Sequence, residues 1–252
     1  MRRCLALIAL AAACNSPAAV PPDADPSVLD AAAVPIDAAG PCPALMIQVG
    51  AFCIDPYEGA LEEHQDSSWV AASPFETVGT RTVRAVPAAG ITPQAYLSGA
   101  EASRACVASG KRLCTSAEWL AACRGSMSSM FPYGPAHVDG ACNDSYDGHP
   151  AIDFFGTSNG IWDTAHMNNP GINQQANTVA KGGAFAQCAT PTGIFDLHGN
   201  LHEWVDDPTG TFRGGFYADA SLNGAGCTYA TTAHAFTYHD YSTGFRCCAD
   251  TK

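Results

Sequence analysis

Twelve cysteines in 252 residues constrain this chain more than anything else in its sequence. Sulfur at that density means disulfides in an oxidising compartment, and thiol chemistry or metal thiolates in a reducing one. The first twenty residues, MRRCLALIALAAACNSPAAV, decide between them. Arg2 and Arg3 precede an apolar run from Leu5 to Ala13 that ends in small residues, the pattern of a secretory leader too short to span a bilayer as a mature helix. Setting aside Cys4 in the leader and Cys14 at its end leaves ten: Cys42, Cys53, Cys106, Cys114, Cys123, Cys142, Cys188, Cys227, Cys247 and Cys248. The number is even, no C-x2-C pair occurs and the spacings are irregular, so disulfides are favoured over zinc. Spacing does not assign the partners. Cys247 and Cys248 adjoin in an extended segment, so their side chains point to opposite faces and bond different partners. A bridge closing more than a hundred residues stabilises by roughly 4–5 kcal/mol in the chain-entropy model.

The sequence divides into residues 1–13 as signal peptide, 14–40 as anchor and linker, and 41–252 as one domain. LAAAC followed by NS is similar to a bacterial lipoprotein cleavage box, with Cys14 as the lipidated residue, although Ala11 stands where leucine is usual. From Asn15 to Gly40 almost every residue is Ala, Pro, Asp, Val or Ser, without an aromatic, so too little apolar surface exists to offset the entropy of ordering. This reads as a tether at a bacterial envelope, periplasmic or on the outer surface, or as a secreted chain after cleavage. Net charge is −12, which argues against nucleic acid and limits membrane contact to the lipid anchor. The same acidity suits divalent cations. Oligomeric state is not legible here.

Within the domain, CPALMIQVGAFCIDPYEGA (42–60) alternates around Gly-Ala and predicts a hairpin whose ends Cys42 and Cys53 tie. Residues 61–94 read as loop with short strands. Ser98 and Glu101 form a capping box opening a helix that stops at Gly110, and Thr115 with Glu118 opens a second that Gly125 closes, with Trp119, Leu120 and Cys123 inward. Residues 126–192 are rich in Gly, Asn, Asp and Pro with little periodicity, a length of loop that needs pins; disulfides and bound ions are the candidates. FRGGFYA (212–218) and GFRCCAD (244–250) read as strands. The class is α+β: an irregular mixed sheet, two main helices and low regular secondary structure.

The stretch GIFDLHGNLHEWVDD (193–207) sets Asp196, Asn200 and Glu203 among apolar Ile194, Phe195, Leu197, Leu201 and Trp204. Taken in order with GKRLCTSAEWLAACRG, FPYG, CND, RGGFY and GFRCCAD, it resembles the formylglycine-generating enzyme family, also called the sulfatase-modifying-factor family, from about Cys42 to Asp250. The resemblance implies a C-type-lectin-like fold. It also implies structural calcium: Asp196 and Glu203 through side chains with Gly199 and Leu201 through carbonyls, and a second site with Asn143 and the carbonyl of Asp144, for which Asp153 and Asp163 are further candidates. Hard oxygen donors in a glycine turn suit that ion. The same resemblance implies the bridges Cys106–Cys247 and Cys123–Cys227, suits Cys114 to Cys248, and leaves Cys42–Cys53 and Cys142–Cys188.

The family's oxidase converts a client sulfatase cysteine to formylglycine, using oxygen and copper held by two thiols five residues apart just after a Gly-Gly strand. In RGGFYADASLNGAGCTY the first of those positions falls on Asp219 and the second near Leu222 to Gly224; neither is cysteine. The expected function is therefore a non-oxidase domain presenting a groove for a peptide or glycan. The alternative is a formylglycine-generating oxidase with a rearranged thiol pair and copper as cofactor. HGNLHE places His198 and His202 four apart beside Glu203, but a metalloprotease pair needs a helix, and Gly199-Asn200 opposes one. His234, His239 and Asp240, interleaved with Phe236, Tyr238 and Tyr241, border the expected groove.

Overall fold

The computed structural model describes residues 40–252; the leader, Cys14 and the linker up to residue 39 lie outside the described residues. The expected hairpin forms from β1 (Ile47–Val49) and β2 (Phe52–Ile54), antiparallel across Gly50 at φ 58°. The last strand of the chain, β11 (Cys247–Asp250), lies along the free edge of β2, and β6 (Arg112–Leu113) lies along β11, giving an antiparallel sheet of order β1-β2-β11-β6. Joining the two ends of the domain in one sheet brings distant cysteines together.

Residues 61–94 are more regular than their composition predicts. β3 (Gly59–Gln65) pairs antiparallel with β4 (Ser68–Ala71) on one side and β5 (Val83–Pro87) on the other. The β3–β4 turn places Asp66 and Ser67 both at positive φ (44° and 74°), the pair of left-handed residues a two-residue hairpin requires. Asp-Ser is a weak signal for that turn, and the hairpin is missed for that reason. Val83 and Ala85 alternate inward from β5 against Leu61.

Both helices form where the capping boxes place them. α1 (Gly99–Ala108) is capped by Ser98 and α2 (Ser116–Arg124) by Thr115, each with its Glu closing the box. Trp119 and Cys123 are buried, with Leu120 partly so. A third sheet, order β10-β7-β8-β9, is built from β7 (His202–Trp204), β8 (Phe212–Arg213), β9 (Ala230–Thr231) and β10 (Thr243–Phe245), with β10 and β7 parallel. Residues 126–192 carry only α3 (Pro150–Phe155), α4 (Thr164–Met167) and one 3-10 turn at Ile172–Gln174.

Five disulfides pair Cys42–Cys53, Cys106–Cys247, Cys114–Cys248, Cys123–Cys227 and Cys142–Cys188. Cys247 and Cys248 leave opposite faces of β11, toward α1 and toward the start of α2. Among the described residues no helix is long and apolar enough to cross a membrane.

Candidate functional site

The 193–207 stretch is a buried turn followed by β7. Asp196, Gly199 and Asn200 all adopt positive φ (60°, 75° and 56°). At Gly199 a Cβ would lie 2.2 Å from the backbone oxygen of Asn143, so the turn and the 142–144 segment approach at glycine distance. Backbone bonds close that approach: Asn200 N–H donates to Asn143 O (2.8 Å) and Tyr217 N–H to Asn200 O (3.0 Å).

The acids of the turn meet partners that sequence reasoning missed. Arg246, wholly buried, donates from Nε and Nη2 to the two oxygens of Glu203 (2.6 and 2.7 Å), and the Trp119 indole N–H donates to the same carboxylate (2.8 Å). Glu58, also wholly buried, accepts from Leu201 N–H (3.0 Å) and from the Asn200 amide. Asp196 accepts from Gly183 N–H at 2.7 Å. Burial pushes the Asp196 carboxyl up to about 6. Burial, reinforced by the Asp196 and Glu203 carboxylates, raises Glu58 well above its ordinary value. Arg246 appeared in the sequence only as part of GFRC, and Glu58 only within the hairpin stretch 42–60; pairing across 43 residues for Arg246 and 142 for Glu58 leaves no local signal.

At Glu203 these contacts do not fit the calcium ligation that the resemblance implies. Calcium takes six to eight oxygens, and Glu203 has both of its own committed to a guanidinium and an indole. At the second position, the Asn143 amide nitrogen donates to Thr178 O (2.9 Å) and Asn200 Oδ1 (2.8 Å). Asp153 accepts from the Tyr146 hydroxyl (3.0 Å), and Asp163 caps α4 while facing His166. The Asp144 side chain turns instead to two imidazoles, His137 Nε2 at 2.7 Å and His198 Nε2 at 3.0 Å. Burial alone pushes the Asp144 carboxyl up, but hydrogen bonds from His198 and His137 outweigh it and hold the acid below its ordinary value.

His198 and His202 part company, as the turn requires. His198 faces Asp144, whereas His202 is buried between Phe212, Phe216 and Tyr229, and burial lowers it to about 3. Of the C-terminal cluster, His234 stacks on Tyr238 (3.9 Å between centroids) and His239 meets the Asn168 amide (2.7 Å).

Residues 216–227 stand between two cavities. One, of about 350 Å³, is lined by Phe131, His137, Asp144, His198, Ala220, Ser221, Ala225 and Gly226. The other, of about 540 Å³, is lined by His149, Phe216, Asp219, Leu222, Asp240 and Tyr241 among others. Ser221 belongs to both walls. Cys227 closes the segment and is bonded to Cys123.

The family model of the sulfatase-modifying factor enzyme 1-like domain matches residues 29–251. The chain belongs to that family. Among solved structures it is similar to PvdO from Pseudomonas aeruginosa, at 16% identity and a TM-score of 0.48, covering 79% of this chain and 80% of that one. A Major Tropism Determinant U1 variant matches at 14% identity and a TM-score of 0.44, over 84% of this chain and 54% of that one. Treponema denticola variable protein 1 matches at 13% identity and a TM-score of 0.38, over 78% and 63%. A comparison with curated sequences finds no significant match. The small sheets, the two main helices and the long connections are those of the sulfatase-modifying-factor, C-type-lectin-like fold.

Proposed function

We propose that this chain is an exported sulfatase-modifying-factor domain, held at the bacterial envelope through Cys14, which presents a groove for a peptide or glycan and does not oxidise a client cysteine. The observation that carries the reading is the state of the sulfur: every cysteine among the described residues is half of a disulfide. Copper-thiolate chemistry needs two free thiols side by side. The loop that holds them in the family carries Asp219 and Leu222 to Gly224 here. Five bridges also suit an oxidising compartment.

The cavity of about 540 Å³ supports the groove. His149, Phe216 and Tyr241 offer ring faces, Asp219 and Asp240 offer carboxylates, and Trp162, 53% exposed, stands edge-on to His149 at 5.1 Å. Ring faces suit sugar rings or apolar side chains, and the acids suit hydroxyls or basic groups.

Thiol titration of the native protein tests the sulfur directly, with no reactive thiol expected in residues 42–252. A CxPxR peptide incubated with protein, copper and oxygen should keep its cysteine mass; appearance of the aldehyde mass would return the chain to the oxidases. Glycan and peptide arrays test the groove, with Trp162→Ala expected to abolish any signal that belongs to this face.

A further inference from the structure

We infer that His137, Asp144 and His198 form a binding site for a divalent first-row transition-metal ion, with its free coordination positions facing the cavity of about 350 Å³. The inference stands apart from the groove reading and uses no thiol; Asp144, whose carbonyl the resemblance assigns to calcium, enters it through its side chain. Among the described residues these three offer one ligand atom each within 4.8 Å of one another.

Three observations carry it. The first is distance. Two ligands bound at ~2.1 Å to one ion lie about 3.0 Å apart at right angles and about 3.4 Å apart in a tetrahedral shell. The Nε2 atoms of His137 and His198 lie 2.7 and 3.0 Å from Asp144 Oδ2. Small shifts about such separations admit an ion.

The second is proton placement. A neutral imidazole carries one N–H, so its two nitrogens cannot both donate. His137 faces a carboxylate on each side, Asp144 at Nε2 (2.7 Å) and Asp139 at Nδ1 (3.3 Å). A neutral His137 satisfies only one of them. Asp139 is fully exposed and open to water; a metal at Nε2 leaves Nδ1–H free to turn toward Asp139, while Nε2 gives its lone pair to the ion and Asp144 becomes a ligand. A carboxylate behind a metal-bound imidazole is the usual outer partner, fixing tautomer and ring orientation.

The third is unfilled demand. Asp144 Oδ1 is buried without a protein partner, and the Asp144 and His198 side chains are each only 3% exposed. Buried polar atoms are ordinarily satisfied, and a carboxylate oxygen left over beside two imidazoles is a ligand in waiting.

The donor set decides the class of ion. Two imidazoles with one carboxylate suit borderline ions such as Zn(II), Fe(II) and Co(II), whereas calcium and magnesium prefer all-oxygen shells. Three protein ligands leave positions open. The cavity beside them has an aromatic wall, Phe131, and small residues, Ala220, Ser221, Ala225 and Gly226, so a water or a small oxygen donor fits there. His137, at 43% side-chain exposure, stands at the rim, where an ion can enter.

The test uses the whole protein, stripped with chelator and titrated with Co(II) and Zn(II) by calorimetry and visible absorption. One equivalent of Co(II) should bind with visible ligand-field bands that Zn(II) bleaches and Ca(II) does not. His137→Ala, at the rim and so without a large folding cost, should lose affinity at least about 100-fold, and Asp139→Asn about 10-fold. His198→Gln should behave as His137→Ala, with circular dichroism confirming its fold. No binding of Co(II) or Zn(II) by the wild type, or wild-type binding in His137→Ala, overturns the site.

Discussion

The sheet that joins the two ends of the domain and the long segment 126–192 are held by different means. The sheet β1-β2-β11-β6, with α1 and α2 against it, takes regular strand pairing, two complete capping boxes and four of the five disulfides. The long segment has one bridge, Cys142–Cys188, buries Ala151, Ile161 and Ile172 in the core, and adds amide and hydroxyl side chains bonded across the fold. Asn173 donates to Tyr241 O (2.6 Å) and accepts from the Tyr217 hydroxyl (2.7 Å); Gln175 donates to Pro150 O (2.9 Å); Asn200 accepts from Ala180 N–H (2.8 Å). The sequence reading proposed disulfides and ions as the pins of this segment. Side-chain amides are further pins that the sequence did not show, because each Asn or Gln gives a loop the donor and acceptor that a neighbouring strand would otherwise provide. The difference teaches where chemistry collects: both cavities that flank residues 216–227 draw walls from the amide-pinned segment, including His137, Asp144 and His149.

Breaking a bridge on either side measures the contrast. Replacing Cys106 and Cys247 by Ala opens a sequence separation of 141 residues, worth about 5 kcal/mol in the loop-entropy model, against about 4 kcal/mol for the 46 residues between Cys142 and Cys188. Denaturant midpoints give the totals. Hydrogen exchange gives the pattern: loss of Cys142–Cys188 should raise exchange near 143–147 while the sheet stays protected, and uniform loss in both variants would erase the distinction.

Arg246, just before β11, reaches Glu203 and also the backbone oxygens of Asp55 (3.2 Å) and Phe195 (2.8 Å). Arg246→Met leaves Glu203 without its cation, beside buried Glu58 and Asp196. A loss of about 3–5 kcal/mol is expected by chemical denaturation. A near-neutral result would mean that the three acids do not depend on this guanidinium.

His202, in the sheet β10-β7-β8-β9, makes the domain acid-sensitive. Its folded value, about 3, is below the ordinary 6.5, so the unfolded chain binds the extra proton. Stability is full above about 6.5 and falls by roughly 1.4 kcal/mol per pH unit as pH drops toward about 3, or about 3 kcal/mol by pH 4. His202→Phe, among the rings of Phe212, Phe216 and Tyr229, should flatten that slope in melts from pH 7 to 4. The smallest effect belongs to the loop side. Asn173→Leu strands the Tyr217 hydroxyl and the Tyr241 carbonyl and should cost about 1–3 kcal/mol, with exchange rising locally around 172–178.

The sequence alone determined the fold family, the two capped helices, the β1–β2 hairpin and the opposed directions of Cys247 and Cys248. These follow from local rules: capping boxes, strand alternation and an ordered set of motifs are written in neighbouring residues. Tertiary structure decided the rest. That Glu203 meets Arg246, that Glu58 lies beneath Asn200, and that His137 and His198 converge on Asp144 across separations of 7 and 54 residues depend on which chain segments the closed domain presses together. A buried charge takes whichever partner burial leaves within reach, and that choice has no period or spacing by which a sequence can announce it.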